Sequence, residues 1–155
     1  MANYIKEIRN LVGHRPIILV ACGGALLNEH KQILLQERAD TGNWSIPGGF
    51  MEYGESLKQT CAREFAEDSG IKVEVGRHLG YFDQDFSTYP NGDVTQVIGH
   101  LFEVHQIGGQ PLDHVTDETL STQWFDLDSL PTIQFSQNEK MLNLIKQIYL
   151  PNKTN

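Results

Sequence analysis

The chain has 155 residues, 39% hydrophobic and 21% charged, with 20 acidic against 12 basic side chains and a net charge of -8. That length fits a single domain over residues 1–155, and the acidic balance argues against a surface for a nucleic-acid polymer. No apolar run reaches the ~20 residues of a membrane span, and the start MANYIKEIRN lacks the apolar centre of a secretory signal, so a cytoplasmic location is expected.

Within residues 1–13, Tyr4, Ile5, Ile8, Leu11 and Val12 fall at helical spacing and Gly13 supplies a stop. Such a helix packs on the sheet or on a second copy of the chain, which leaves a homodimer open. Pro16 then precedes IILVACGGALL, a continuous apolar run of the kind buried on both faces of a sheet. A turn at Asn28–Lys31 and a second strand at Gln32–Glu37 pair with it as a hairpin. Arg38 closes that strand, followed by the polar loop ADTGNW and a short strand at Trp44-Ser45-Ile46.

The segment Gly48–Ile71, GGFMEYGESLKQTCAREFAEDSGI, carries the densest chemistry. Ser56 is positioned as an N-cap with Gln59 completing a capping box, and Gly70 as the C-terminal stop. On a helix at ~100° per residue, Glu64, Glu67 and Asp68 crowd one face, beside an apolar arc containing Leu57, Cys61 and Phe65. Three like charges near the negative end of a helix are locally unfavourable, and a divalent cation offsets them.

Further on, Lys72–Leu79 alternates as a strand that Gly80–Phe82 continues. The stretch DQDFSTYPNGDVTQ, residues 83–96, is expected to be a loop around the turn Pro90-Asn91-Gly92. Its Phe86 and Tyr89 either form a rim that stacks on a base or anchor a long hairpin connection. Val97–Ile107 makes the next strand, with Val97, Gly99, Leu101 and Glu103 on one face. After a second loop come the strand Gln123–Asp126, an amphipathic helix over 139–150, and the tail PNKTN, which should fray. Cys22 and Cys61 read as reduced core thiols. The histidines lack zinc spacing, and no nucleophile elbow, GxGxxG or P-loop is present.

The 48–71 segment resembles the Nudix box, G-x5-E-x7-R-E-U-x-E-E-x-G-U with U a bulky apolar residue. Gly49, Glu55, Arg63, Glu64, Phe65, Glu67, Gly70 and Ile71 occupy its fixed positions. Asp68 departs from it, standing where the family usually has glutamate; the side chain is shorter by about 1.5 Å. The resemblance covers residues 16–130 and implies an α/β Nudix fold, a mixed β-sheet in an α/β/α sandwich. The N-terminal helix is extra to that pattern.

The same resemblance implies Mg²⁺, or Mn²⁺, held by Glu64, Glu67 and Asp68 with the carbonyl of Gly48. It makes Arg63 the partner that orients Glu55, and turns Arg38 toward substrate phosphates, though a solvated strand-end arginine is an equal reading. Glu118, six residues before Trp124, is its downstream metal ligand or general base, with Asp117 and Glu103 as fallbacks; a solvated loop acid is the bland alternative. The implied activity is hydrolysis of a pyrophosphate bond in a nucleoside diphosphate linked to a group X, by water attack on phosphorus. ADP-ribose is the leading substrate. The alternatives are a nucleotide-sanitising triphosphate pyrophosphohydrolase and a non-catalytic nucleotide-binding regulator on the same fold.

Overall fold

A computed structural model describes residues 3–150, so Met1, Ala2 and the tail expected to fray lie outside the described residues. Helix α1 (Asn3–Val12) precedes strands β1 (Ile17–Ala25), β2 (Gln32–Arg38), β3 (Trp44–Ser45) and β4 (Gly48–Phe50). Helix α2 (Leu57–Ser69) is followed by β5 (Ile71–Thr88), β6 (Val94–Gly109), β7 (Thr119–Asp126) and α3 (Ser136–Tyr149). A four-stranded mixed sheet has the order β4-β1-β6-β5, in which only β1 and β6 run parallel. A second sheet, β3-β2-β7, is wholly antiparallel.

Alternation along the strands divides the interior into two apolar clusters. Cys22, Leu34, Cys61, Phe65, Phe102 and Val104 meet on the α2 side. Ile33, Leu35, Leu101, Met141, Leu142 and Ile145 meet on the α3 side. Strand β2 feeds both, giving Leu34 to one and Ile33 and Leu35 to the other, each at most 1% exposed. Helix–sheet–helix layering is therefore the expected α/β/α arrangement. Both cysteines are buried and free, and burial pushes each thiol up to about 12.

Two expectations are corrected. The hairpin is confined to its turn: Leu27 bridges Ile33 antiparallel, and the Asn28 and Leu34 amides donate to the Gln32 and Leu26 carbonyls at 3.0 Å, but β1 and β2 themselves belong to different sheets. β1 lies instead between β4, antiparallel to it, and β6, whose parallel pairing needs a long crossover no local pattern announces. Nor is 83–96 a loop. β5 runs to Thr88 and β6 starts at Val94, leaving only a tight turn in which the Gly92 amide donates to the Tyr89 carbonyl. Register shifts in β5 interrupt its alternation and conceal the strand.

Helix α1 buries no residue, and Leu11 is 82% exposed. A polar pin holds it: Arg9 donates to the carbonyls of Gly13, Arg15 and Val94 and to Thr95 Oγ1, at 2.6 to 3.0 Å. Among the described residues no helix is long and apolar enough to cross a membrane.

α3 begins at Ser136, three residues before the expected 139, and its N-cap residue Phe135 makes no side-chain capping bond. Asp85, buried beside a register shift in β5, instead anchors the start of α3 through its side chains. It accepts from Ser136 Oγ at 3.2 Å, Gln137 Nε2 at 3.3 Å and Lys140 Nζ at 2.8 Å. Asp85→Ala should lose about 1–3 kcal/mol of unfolding free energy, because it strands these donors. Urea denaturation measures this, and wild-type stability in the variant would contradict the anchoring role.

Candidate active site

Helix α2 is fixed at both ends by its own sequence. Ser56 Oγ accepts from the Gln59 amide at 3.1 Å, and Gln59 Oε1 accepts from the Ser56 amide at 2.8 Å. Gly70 sits at φ 80°, where its amide donates to Ala66, and a side chain there would be strained. With the register so set, Cys61 and Phe65 enter the core while Glu64 and Asp68, one turn apart, share a face. Both acids are buried, at 4% and 2% exposure. Glu67 lies nearer solvent, its side chain 41% exposed.

One carboxylate oxygen from each of Glu64, Asp68 and Glu118 falls within 4.8 Å of the others. Glu118 arrives from the segment before β7, which side chains and backbone tie down. Thr119 Oγ1 donates to the Asp68 carbonyl at 2.8 Å and accepts from Gln36 Nε2 at 2.7 Å. The Ala39 amide donates to the Glu118 carbonyl at 3.0 Å. Gln36 in turn accepts from Ser45 Oγ at 3.3 Å. The sequence reading missed Thr119 and Gln36. The available signal was Gln36 itself, a polar residue directly after the buried Ile33-Leu34-Leu35 run and itself 2% exposed.

Arg63 binds the acidic face to the turn before the helix. Its Nε donates to Glu55 Oε2 at 2.6 Å and its Nη2 to Glu55 Oε1 at 2.8 Å, a bidentate pair. The same guanidinium reaches Glu64 Oε1 at 2.9 Å, the Phe50 carbonyl at 3.0 Å and Glu67 Oε2 at 3.4 Å. Glu55 also accepts from the Glu52 amide and Thr60 Oγ1. Arg63 foremost, with these donors, lowers the Glu55 carboxyl to about 2. A Cβ on Gly49 would collide with the Glu64 carboxyl, so only glycine lets β4 lie this close.

Glu64 and Asp68 are shifted the other way. Burial raises both, against the opposing bond from Arg63 to Glu64 and from the Gly48 amide to Asp68 Oδ2 at 3.0 Å. Negative charge on Glu118 raises each further, and a hydrogen bond with Glu118 holds Asp68 higher still. A pocket that penalises its own carboxylates is suited to a cation. The donors are hard oxygens with no sulfur or imidazole among them, which fits Mg²⁺ or Mn²⁺ rather than zinc.

The remaining expected residues are dispersed. Arg38 is gripped by Asp40 and lies over the Phe135 ring at 4.9 Å. Tyr89 is half-buried at the β5–β6 turn, and burial raises its phenol. Phe86 stands 65% exposed within β5, opposite Gln96. Glu103 is excluded as a fallback base at this cluster: it lies on the α3 side, bound by Tyr149, and this bond before all others lowers its carboxyl.

The NUDIX domain model matches residues 18–146. An ADP-ribose pyrophosphatase of Methanocaldococcus jannaschii is 30% identical over 128 residues, 79% of this chain and 70% of that one. An oxidized purine nucleoside triphosphate hydrolase of Danio rerio is 32% identical over 96 residues, covering 62% of this chain and 55% of the relative. Among solved structures, an ADP-ribose pyrophosphatase from Streptococcus suis aligns with a TM-score of 0.69 at 25% identity, over 88% of this chain and 94% of that chain.

The depressed Glu55 gives a signed pH effect. Its folded pKa lies below the ordinary 4.5, so it contributes stability above about pH 4.5 that disappears as pH falls toward about 2. Glu55→Gln should be less stable at neutral pH and show a shallower loss of stability across that acid window. Denaturant titrations of both proteins from pH 7 to 2 measure the slope; parallel curves would remove Glu55 from the account.

Proposed function

Since the chain belongs to the NUDIX family, whose enzymes hydrolyse pyrophosphate bonds with a divalent metal, we propose that its substrate is a nucleoside diphosphate linked to a group X, with ADP-ribose the leading case. The observation that carries this reading is the convergence of the half-buried Glu118 on the buried Glu64 and Asp68 of α2. The relatives described as ADP-ribose pyrophosphatases support the substrate class. The Danio rerio relative supports the second reading, a triphosphate pyrophosphohydrolase that removes damaged nucleotides.

Glu64, Asp68 and Glu118 would hold Mg²⁺, with Mn²⁺ able to replace it, and the Gly48 carbonyl is a further candidate ligand. A bound divalent cation neutralises phosphoryl oxygens and makes water a better nucleophile at neutral pH. Arg63, clamped on Glu55, keeps the Glu64 carboxylate oriented. Glu67, on the exposed edge of α2, is another candidate ligand, and Glu118 is the candidate that removes the proton from the attacking water where it is not itself a ligand. Water adds to one phosphorus, the bridging P–O bond breaks, and ADP-ribose leaves as AMP and ribose 5-phosphate. A homodimer through α1, whose Leu11 is exposed, is a separate proposal that sedimentation decides.

Glu64→Gln should lower kcat by roughly 10²-fold or more while thermal unfolding stays cooperative. Near-normal turnover would refute the assignment. With Mg²⁺ and a panel of nucleotides, the leading reading expects the highest kcat/KM on ADP-ribose. Faster pyrophosphate release from triphosphates would favour the second reading, and no release from any nucleotide would leave a binding regulator.

A further inference from the structure

Phe135 is one of two non-glycine residues with positive φ among those described, at φ 70° and ψ 133°. A residue with a Cβ rarely enters that region unless its surroundings impose it. Here the chain is fastened on both sides. Before it, the Trp44 amide donates to the Thr132 carbonyl at 3.0 Å and the Gln134 amide to the Trp44 carbonyl at 2.7 Å. After it, Ser136 and Gln137 are tied to Asp85. Yet the Phe135 ring belongs to neither apolar cluster. What it touches is Arg38, whose guanidinium carbon lies 4.9 Å from the ring centroid.

A guanidinium offers edges for hydrogen bonds and two faces for stacking. The Nε–Nη2 edge of Arg38 is taken by Asp40, at 3.0 and 2.8 Å, which fixes the plane of the guanidinium. The guanidinium lies over the Phe135 ring, and the Arg38 side chain is 27% exposed. Tyr89 lies near enough that the charges of Arg38 and Asp40 act on its phenol. The next residue, Ala39, donates its amide to the Glu118 carbonyl, so the main chain that carries Arg38 is joined to the one that carries Glu118.

We propose that Arg38 is a stacking surface for the nucleobase of the substrate rather than a phosphate ligand, and that Phe135 and Asp40 position it. The proposal rests on the nucleotide-hydrolase reading above. A planar base lies over the face of the guanidinium opposite Phe135, and the phosphates continue past Glu118 toward α2. Backbone strain at Phe135 then has a purpose, because it brings a ring under Arg38 that the helix start would not otherwise present.

Phe135→Leu, Phe135→Tyr and Arg38→Lys test this, with ADP-ribose and the base-free 5-phosphoribosyl diphosphate as paired substrates. Leu should raise the KM for ADP-ribose roughly tenfold, more than it raises that of the base-free substrate, with the larger effect in KM than in kcat. Tyr should restore it, and Lys, which keeps charge but loses the plane, should behave as Leu does. Equal KM changes on both substrates, or a normal KM in Arg38→Lys, would overturn the proposal. Should Phe135→Leu fail to fold, Phe135→Gly, which suits a positive φ, replaces it with the same expectation. AMP binding, followed by the Arg38 Nε resonance, decides the matter independently of turnover. The signal should shift in the wild type, and affinity should fall roughly tenfold in Phe135→Leu. No AMP binding, or equal affinity, sinks the stacking role, whereas absent hydrolysis with intact AMP binding sinks only the hydrolase reading.

Discussion

Carboxylates repel one another, and in a buried setting each also loses hydration, so a folded chain that gathers Glu64, Asp68 and Glu118 within 4.8 Å must hold them by force. The force comes from neutral donors and one cation. Thr119 Oγ1 ties the end of α2 to the strand that follows Glu118, and Gln36 fixes Thr119. Arg63 supplies the countercharge, but most of its reach is spent on Glu55 and the Phe50 carbonyl. Burial raises the proton affinities of Glu64 and Asp68, an environment that a hard divalent cation suits.

Local chemistry was legible in the sequence. Ser56, Gln59 and Gly70 announced both ends of α2, because caps act within four residues of themselves. The spacing of Glu64 and Asp68 followed from that register. Long-range pairing was not legible: the IILVACGGALL run described a buried strand correctly in kind but said nothing of its partners, β4 and, more than seventy residues on, β6. The 83–96 stretch misled for a different reason. Asp83, Asp85 and Asp93 gave it the look of a loop, while Asp85 is buried as the anchor of α3 and Asp93 pairs with His14 and Arg9. Polar residues with distant partners imitate loop composition.

The site was only partly legible for the same cause. Glu118 could be placed by its distance from Trp124, yet nothing local marked Thr119 as the residue that joins its segment to α2. Arg38 was found as a strand-end cation, whereas its clamping by Asp40 and Phe135 depends on a backbone conformation at Phe135 that the residue type disfavours. Asp40 lies two residues away, but Phe135 reaches Arg38 only because residues 132–134 are stitched to Trp44.

Strand β2 is a party wall between two rooms. Leu34 furnishes the one containing α2, Ile33 and Leu35 the one containing α3, and at its end Gln36 serves the acidic cluster while Arg38 serves the rim. Protein interiors are packed too tightly to absorb a volume change without passing it on. A change of volume at Ile33, Leu34 or Leu35 is therefore passed along β2 to Gln36 and, through Thr119, to the end of α2 that carries Asp68.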